Sequence, residues 1–310
     1  MKVGYIGLGN MGGGMACCLS GTPGFDVTVH DIRRDAAKPQ LELGARWAEN
    51  PAALARECDV VITSLPGPPV IEQVVYGANG LMGSMRQGST FIDMSTNSPA
   101  LIRKMHSDFG KQSVAVLDAP VSGLLSEAHQ GKLTIYIGGD RPAYERVKVV
   151  FDTLGGEVRY MGAPGAGMIT KLVHNEIAIT TMAVMAEGFT LGTKAGVDPQ
   201  ALFEAVKVGG FGRGKLIDVI PKVVFPGNFE MTGVWGMPLS YGRKDMSLAT
   251  ELGRQFNVPM LLASLVEQDM IAGIARGWAN KEQTIFLTLQ EERSATSLRV
   301  PKDGSNGAVK

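Results

Sequence analysis

Short apolar runs alternate with helical stretches over the first half of the chain. Six of these runs are rich in β-branched residues, and several are apolar continuously rather than at every second position. A continuously apolar strand is buried on both faces, as in a parallel sheet covered by helices. The pattern therefore predicts a doubly wound α/β domain with a mostly parallel sheet. The predicted strands are residues 2–6, 26–30, 59–64, 89–93, 114–118 and 133–138.

A long apolar stretch without proline marks a change of pattern after Tyr160. Residues 162–167 are rich in glycine and predict a hinge, and residues 168–194 predict a single helix. At about 1.5 Å per residue this helix would span roughly 40 Å. Because it is apolar nearly all round, we expect it to be buried between two domains. Glu176 and Glu187 within it argue against a membrane span, since carboxylates are costly in hydrocarbon.

Helical periodicity continues to about residue 295 and predicts an all-α second domain. The helices expected after the long one are residues 199–208, 213–224, 242–255, 259–275 and 280–293. The predicted organisation is an α/β domain over 1–163, an all-α domain over 164–296 and a flexible tail over 297–310.

Composition narrows the class of partner. The 310 residues include 30 Lys and Arg and 30 Asp and Glu, so the formal net charge is zero. Without a basic excess we expect neither nucleic acid nor an anionic membrane, and a small molecule is the default partner. Cys17, Cys18 and Cys58 offer no disulfide framework and no metal-ligand spacing, which favours a reducing compartment. Because a strand begins at Lys2, we expect no presequence and a cytoplasmic location.

A glycine motif follows the first predicted strand and opens a helix. In the spacing G-x-G-x-x-G, the first glycine allows a tight turn, the second lets the backbone approach a pyrophosphate, and the third lets helix and strand pack closely. The helix N-terminus adds N–H donors and a positive dipole. An ordinary glycine-rich turn is the alternative, but the strand-to-helix context favours a dinucleotide site. The motif consists of Gly7, Leu8, Gly9, Asn10, Met11 and Gly12.

An acidic residue, Asp31, closes the second predicted strand, where a carboxylate would accept the hydroxyls of an adenosine ribose. This position favours NAD over NADP, because the carboxylate would repel a 2′-phosphate. Ile32 and Arg33 follow and are expected in the same site. NADP stays possible because Arg33 or Arg34 would accommodate the phosphate. The alternative for both arginines is a solvated helix start.

Two further turns are expected to line the cofactor crevice. Leu65 and Pro66 end the third predicted strand, and Ser95 and Thr96 follow the fourth. Ligands of open α/β sheets bind beyond the carboxyl ends of the strands, which places both turns at the crevice. A capped loop is the alternative, above all for Ser95.

Two pairs of residues are candidates for proton transfer. Tyr144 and Lys148 match a Y-x-x-x-K spacing, but the surrounding sequence predicts a surface amphipathic helix. Lys171 lies early in the long helix, and Asn175 follows on the same face. Desolvation lowers the pKa of a lysine in an apolar cleft, which suits it to shuttle protons near neutral pH. On spacing alone, Lys171 and Asn175 could equally be an ordinary polar pair between domains.

Five motifs occur in order along the chain, at residues 7–12 with Met15 and Ala16, then 93–99, 118–123, 162–175 and 243–249. Together they resemble the β-hydroxyacid dehydrogenase (3-hydroxyisobutyrate dehydrogenase) family, and the resemblance covers nearly the whole chain. It implies a Rossmann domain followed by an all-α domain, assembled as a homodimer or homotetramer. It also implies an NAD(P)-dependent oxidoreductase that acts at C3 of a small 3-hydroxy acid or the related semialdehyde.

The resemblance further implies roles for individual residues. Lys171 would be the general acid/base, and Asn175 would orient the substrate. Ser122 and Gly123 would hold the substrate carboxylate. The residues implied to contact the nicotinamide end of the cofactor are Thr96 and Lys244.

Three positions depart from the family pattern. Leu124 and Ser126 stand where the family has glycine, and His174 stands where it has asparagine. Leu124 is expected in the substrate pocket, where it would add volume and remove backbone freedom. His174 is expected to pack and form hydrogen bonds rather than to act in catalysis.

Three other functions are possible on this scaffold. Imine reductases and non-catalytic cofactor-binding relatives tend to lack the catalytic lysine, so Lys171 argues against both. Phosphogluconate dehydrogenase is longer and would need a basic phosphate pocket. The pattern does not name the hydroxy acid.

Overall fold

The computed structural model describes residues 1–231 and 237–299, and they fall into two compact units. The first unit is Met1–Ile177, and the second begins at Ala178. This division lies inside a long helix, whereas the predicted boundary after residue 163 precedes that helix. Within the predicted tail, residues 300–310 lie outside the described residues.

A nine-stranded sheet forms the centre of the first unit. Its strands are β1 (Lys2–Ile6), β2 (Asp26–His30), β3 (Arg46–Trp47), β4 (Val60–Thr63), β5 (Thr90–Asp93), β6 (Ala115–Asp118), β7 (Val121–Ser122), β8 (Leu133–Gly139) and β9 (Gly155–Gly162). The strand order is β3-β2-β1-β4-β5-β6-β8-β7, and β9 pairs with β8. Its first six places follow the 3-2-1-4-5-6 order of the doubly wound fold.

Parallel pairing dominates this sheet, which confirms the predicted fold class. Parallel pairs join β1 to β2 and β4, β4 to β5, and β5 to β6. β8 runs antiparallel to β6 and β7 and parallel to β9. The six predicted strands all occur, but β3, β7 and β9 were not predicted. β3 and β7 have two residues each, and β9 contains three glycines, which weaken a strand pattern.

Successive residues of the central strands point into two different cores. Val60 and Ile62 belong to one buried cluster, and Val61 between them belongs to the other. Ile92 and Phe91 divide in the same way. Both faces of the sheet are therefore buried, which explains why the strands are apolar without alternation.

Helices cover both cores of the first unit. They are α1 (Asn10–Ser20), α2 (Lys38–Glu42), α3 (Pro51–Ala55), α4 (Pro68–Tyr76), α5 (Pro99–Gly110), α6 (Leu125–Gln130), α7 (Arg141–Arg146) and α8 (Lys148–Leu154). Residues of α1 and α8 pack into one core, and residues of α3, α4 and α5 pack into the other. The connections at the carboxyl ends of the parallel strands lead into several of these helices, so the candidate site lies at that edge.

The second unit is helical, as predicted. Its helices are the latter part of α9 (Ala166–Lys194), then α10 (Pro199–Val208), α11 (Leu239–Phe256), α12 (Leu261–Ala275) and α13 (Thr288–Arg293). Short segments of other helical types are the 3-10 turns Lys215–Asp218 and Gln283–Leu287 and the π-helical Ile220–Val224. In the described parts of the chain, the helices lack the combination of length and apolar character needed to cross a bilayer.

Two predicted helices differ from the observed segments. The helix expected over 213–224 is broken into a 3-10 and a π segment. Pro221 explains the break, because proline has no N–H and its ring disturbs the preceding turn. Of the helix expected over 280–293, only Thr288–Arg293 is α-helical. The side chain of Glu282 accepts the Thr284 N–H at 2.8 Å and thereby caps a 3-10 turn first.

Candidate active site

The glycine loop after β1 has the backbone geometry that its spacing predicts. Gly7 adopts a φ of +96°, and a Cβ there would overlap the carbonyl of Ser64. A Cβ at Gly12 would overlap the carbonyl of Gly7, so only glycine lets α1 approach the strand this closely. Gly9 has no atom within 4 Å of its Cβ position, which leaves its backbone open to an incoming group.

A cavity of about 810 Å³ opens beside this loop, and its wall belongs entirely to the first unit. The wall combines the turns that follow several parallel strands with the first turns of α9. The predicted residues on it are Gly7, Gly9, Asn10, Met11, Gly12, Asp31, Ile32, Arg33, Leu65, Pro66, Thr96, Ser122, Gly123, Lys171 and Asn175. The fold therefore brings most of the predicted cofactor residues and most of the predicted substrate residues to one cavity.

The carboxylate of Asp31 is fixed on the cavity wall by two backbone donors. Leu8 N–H donates to Oδ2 at 2.7 Å, and Arg33 N–H donates to Oδ1 at 2.9 Å. An ionised carboxylate has about four acceptor positions, so lone pairs remain for the hydroxyls of a ribose. Leu8 itself is 5% exposed and its side chain belongs to the core, so it contributes through its backbone and does not line the cavity.

The two arginines after β2 point to different places. Arg34 forms an ion pair with Glu49 at 3.5 Å and lies 5.5 Å from the centre of the Trp47 ring. Arg33 lines the cavity beside Ile32. Of the two, only Arg33 is in position to meet a phosphate at the adenosine end of a bound dinucleotide.

A buried carboxylate, Asp93, organises the turn that follows β5. Its Oδ1 accepts from Thr63 Oγ1 at 3.0 Å and from Ser95 N–H at 3.1 Å, and its Oδ2 accepts from Asn97 Nδ2 at 2.8 Å. Burial raises the pKa of this carboxyl, and the hydrogen bonds oppose the rise. Ser95 Oγ in turn accepts the Leu65 N–H at 2.9 Å, so the two turns predicted to hold the cofactor are tied together.

A second buried carboxylate, Asp118, holds the start of α9. Gly165 N–H donates to Oδ1 at 2.8 Å and Met168 N–H donates to Oδ2 at 2.7 Å. These bonds satisfy donors that a helix N-terminus leaves unpaired, and the negative charge suits the helix dipole. A Cβ at Gly167 would overlap the carbonyl of Tyr136, so glycine is required where α9 meets the sheet. Burial raises the pKa of Asp118.

Lys171 stands early in α9, within this anchored segment. It lines the cavity with Asn175, four residues later on the same helix face. Partial burial lowers the pKa of the lysine, because desolvation disfavours the ammonium. Among the described residues, no carboxylate forms an ion pair with Lys171 to offset this effect.

The predicted carboxylate cradle lies on β7 and the turn after it. Gly123 has a φ of +149°, and a Cβ there would crowd Leu133 and Glu127. Ser122 Oγ lies 3.1 Å from Nε2 of His174 on α9, in hydrogen-bond contact. Both Ser122 and His174 line the cavity, so His174 forms the hydrogen bond that was expected of it.

Besides Leu8, two more predicted residues are not on this wall: Leu124 and Lys244. Leu124 is 69% exposed and does not line the cavity, and its N–H donates to Glu127 Oε2 at 2.6 Å at the start of α6. The role of Leu124 in substrate binding therefore stays a prediction that the lining of this cavity does not support. Lys244 belongs to the second unit, where it pairs with Asp245 at 3.1 Å and lies 5.9 Å from the centre of the Tyr241 ring.

The alternative Tyr-Lys pair also lies off the cavity. Tyr144 is 7% exposed and packs against the rings of Phe151 and Tyr160. Lys148 forms an ion pair with Asp152. Both residues therefore serve packing and surface charge, as the surrounding sequence indicated.

Sequence reasoning missed the two buried carboxylates as site residues. Asp93 and Asp118 each end a run of apolar strand residues, and an acid at the carboxyl end of such a strand was an available signal. The contact between Ser122 and His174 gave no such signal, since the residues are 52 positions apart.

Comparison with known proteins agrees with this geometry. The model for the NAD binding domain of 6-phosphogluconate dehydrogenase matches residues 2–162, and the model for the NAD-binding of NADP-dependent 3-hydroxyisobutyrate dehydrogenase matches residues 165–289. Mitochondrial 3-hydroxyisobutyrate dehydrogenase of Mus musculus is 32% identical over 295 residues, which are 94% of this chain and 87% of the relative. The chain belongs to the β-hydroxyacid dehydrogenase family.

A second relative of this β-hydroxyacid dehydrogenase carries a different substrate in its name. The 2-(hydroxymethyl)glutarate dehydrogenase of Eubacterium barkeri is 30% identical over 299 residues, which are 96% of this chain and 97% of the relative. The protein is therefore an NAD(P)-dependent hydroxyacid dehydrogenase, and its relatives are named for different hydroxy acids.

A solved imine reductase resembles this β-hydroxyacid dehydrogenase in fold. The enzyme from Myxococcus stipitatus in complex with NADP+ superposes with a TM-score of 0.82 at 16% identity, over 94% of this chain and 100% of that one. At this identity the likeness concerns the fold alone.

Proposed function

We propose that this protein transfers hydride between NAD and C3 of a small 3-hydroxy acid or the corresponding semialdehyde. The observation that carries the proposal is the single cavity shared by the glycine loop, Ser122 and Lys171. The Ser122 hydroxyl is a donor for a carboxylate, and Lys171 is a base for a hydroxyl proton. Both line the same cavity as the glycine loop, which is typical of a dinucleotide site.

The residues present fit a dinucleotide. The backbone at Gly9 is open, the N-terminus of α1 faces the same cavity, and Asp31 keeps lone pairs for a ribose. Gly7 to Gly12 would hold the pyrophosphate, and Leu65, Pro66 and Thr96 would line the nicotinamide half. The bound cofactor supplies the acceptor or donor of the hydride.

Ser122 and Gly123 bind the substrate carboxylate in this proposal. The Ser122 hydroxyl donates one hydrogen bond to it, and the backbone at Gly123 lies against it. Asn175 then donates to the substrate's 3-hydroxyl and turns it towards Lys171. Holding both ends of a small acid positions its C3–H for transfer.

Lys171 moves the proton. In oxidation, neutral Nζ accepts the proton of the 3-hydroxyl as the C3–H bond breaks and the C3–O bond becomes a carbonyl. In reduction, protonated Nζ donates to the carbonyl oxygen, which becomes the hydroxyl. The lowered pKa of Lys171 makes the neutral form accessible nearer to neutral pH than for an exposed lysine.

NAD is the proposed cofactor, with NADP as the alternative. The Asp31 carboxylate lies where it would repel a 2′-phosphate, and this favours NAD. Arg33, on the same wall, is the group that would accept NADP.

A homodimer or homotetramer is the proposed assembly. Apolar side chains of α9 are exposed in the second unit, with Ile179 at 62% and Met182 at 56%. Exposed apolar surface of this kind marks an interaction site.

A substrate panel tests the proposed function. The enzyme would be assayed with NAD and NADP on 3-hydroxyisobutyrate, 3-hydroxypropionate, 2-(hydroxymethyl)glutarate and serine, and in reduction on a cyclic imine such as 1-pyrroline. Oxidation of at least one hydroxy acid without imine reduction is expected. Reduction of the imine without turnover of any hydroxy acid would replace the proposal with the imine reductase alternative, whose support is the shared fold.

A further inference from the structure

The hydrogen bond between Ser122 and His174 joins two separate elements at the cavity. Ser122 belongs to β7, and His174 belongs to the third turn of α9. Their side chains meet with 3.1 Å between Oγ and Nε2, and both line the cavity. The pair therefore connects β7 to α9 at the cavity wall.

Both partners are held by rigid surroundings. Val121 and Ser122 pair with Ile135 and Thr134 of β8, which fixes the strand that carries the hydroxyl. The His174 ring lies 6.2 Å from the ring of Tyr136, also on β8, at an interplanar angle of 43°. Because Asp118 anchors the N-terminus of the same helix, the imidazole approaches Ser122 from a fixed direction.

The direction of this hydrogen bond decides what Ser122 offers to a ligand. A hydroxyl has one proton to donate. If Ser122 donates to Nε2, the proton points into the protein. If Nε2–H donates to Oγ, the proton is free to point into the cavity. A carboxylate accepts only, so it favours the second arrangement.

The charges on the wall suit an anion at this end. Among the residues that line the cavity, Asp31 is the one carboxylate, and its oxygens already accept two backbone N–H groups beside β2. Lys171 stands three residues before His174, one turn earlier on α9. Two basic side chains and a hydroxyl therefore surround the proposed substrate position.

We propose that His174 is a positioning residue that donates through Nε2–H to Ser122 Oγ, and thereby directs the Ser122 proton to the carboxylate of the substrate. The inference rests on the proposed function, since it uses the same carboxylate site. It adds that the acid group is recognised through a relay from histidine to serine to carboxylate, and that His174 acts on binding more than on proton transfer.

The test compares two substitutions at His174 with a matched pair of probes. His174→Gln places an amide N–H near the position of Nε2 and keeps the donor. His174→Phe keeps a ring against Tyr136 but removes the hydrogen-bond donor. Isobutyrate is an unreactive carboxylate probe, and isobutyramide is its neutral isostere. The dissociation constant of each probe is measured by calorimetry on enzyme saturated with NAD.

The expected result is selective. His174→Phe should weaken isobutyrate binding by about tenfold or more, the size of a hydrogen bond to a charged group. His174→Gln should stay within about threefold of the wild type. Isobutyramide binding should change little in either variant. In the background of Ser122→Ala, His174→Phe should add no further loss, because His174 acts through the serine hydroxyl.

Several outcomes would overturn the inference. Equal losses in His174→Gln and His174→Phe would indicate packing rather than donation. An equal loss for isobutyramide would remove the link to the carboxylate. An additive effect of His174→Phe and Ser122→Ala, or no measurable isobutyrate binding by the wild type, would show that His174 does not act on the acid group through Ser122.

Turnover separates this inference from the proposed function. On a hydroxy acid that the wild type oxidises, His174→Phe should raise KM more than it lowers kcat. If the wild type binds isobutyrate with the expected pattern but oxidises no hydroxy acid, the relay stands and the proposed reaction fails. If the wild type oxidises a hydroxy acid while His174→Gln and His174→Phe bind isobutyrate with the same dissociation constant, the reaction stands and the relay fails.

Discussion

At the scale of single residues, we expect Asp31 and Arg33 to favour different cofactors, Asp31 NAD and Arg33 NADP. Asp31 presents its free lone pairs beside the glycine loop, and Arg33 lines the same cavity while Arg34 is engaged with Glu49 and Trp47. We expect NAD to exceed NADP in kcat/KM. Asp31→Asn should reduce that preference by about tenfold, since it removes the repulsion of a 2′-phosphate but keeps one acceptor for the loop.

Steady-state kinetics with both cofactors checks this prediction, and Arg33→Gln is the matched control. That substitution should lower kcat/KM with NADP and leave the value with NAD nearly as it was. A wild-type preference for NADP would mean that Arg33, not Asp31, decides the choice.

The lowered pKa of Lys171 gives the reaction a pH dependence whose sign differs between directions. Oxidation needs neutral Lys171, so kcat/KM should rise with pH through the lysine's pKa to a plateau. Reduction needs protonated Lys171 and should fall over the same range. Because burial lowers this pKa, the inflection should lie below the ordinary lysine value of 10.5. Profiles in both directions measure it, and an inflection at or above that value would contradict the desolvation of Lys171.

At the scale of elements, Asp118 couples the sheet to the helix that carries Lys171. Asp118→Asn keeps one acceptor oxygen but removes the charge that two helix N–H groups share. We expect the free energy of unfolding to fall by about 1–3 kcal/mol, as for a weakened hydrogen bond to a charged group. The kcat should fall as well, because the start of α9 is less firmly placed.

Thermal unfolding and kinetics of Asp118→Asn would be compared with Asp152→Asn, a surface change beside Lys148. The surface variant should resemble the wild type in both measurements. If Asp118→Asn unfolds earlier but keeps its kcat, the carboxylate serves stability alone.

The strands and helices show how much of the fold the sequence pattern predicts. Apolar runs predicted six of the nine strands, and several of these runs are continuous because both faces of the sheet are buried. β9 escaped prediction because its glycines carry no apolar pattern. The prediction of one helix over 213–224 was wrong because Pro221 interrupts it. Hydrophobic periodicity gives no information on the backbone N–H that proline lacks.

At the scale of the whole molecule, the sequence predicted the lining of the candidate cavity where that lining depends on the backbone. The glycine spacing and the ends of parallel strands located the cavity, and the family resemblance singled out Lys171 and Asn175. Side-chain partnerships were not predictable. The contacts of Asp118 with Gly165 and of Ser122 with His174 join residues 47 and 52 positions apart, which only the fold brings together.

The exposed apolar residues of α9 lead to a prediction about assembly. Ile177, Ile179 and Met182 are between 52% and 62% exposed, and we expect a second copy of the chain to cover them. Light scattering at micromolar concentration should give the mass of a dimer or tetramer. Ile179→Glu should shift the mass towards the monomer, while Glu204→Gln, on an exposed part of α10, should not. A monomeric wild type would contradict the prediction.

The central claim is that Lys171 carries the proton in the reaction, and its removal tests that claim most directly. The measurement is kcat of Lys171→Ala beside its NAD affinity, determined by fluorescence titration. The account predicts a loss of about 10²- to 10⁴-fold in kcat, the usual contribution of a general acid/base, with NAD affinity nearly unchanged. Lys171→Arg should not restore activity, because arginine stays protonated. A Lys171→Ala enzyme with near-normal kcat on its hydroxy acid would contradict the account.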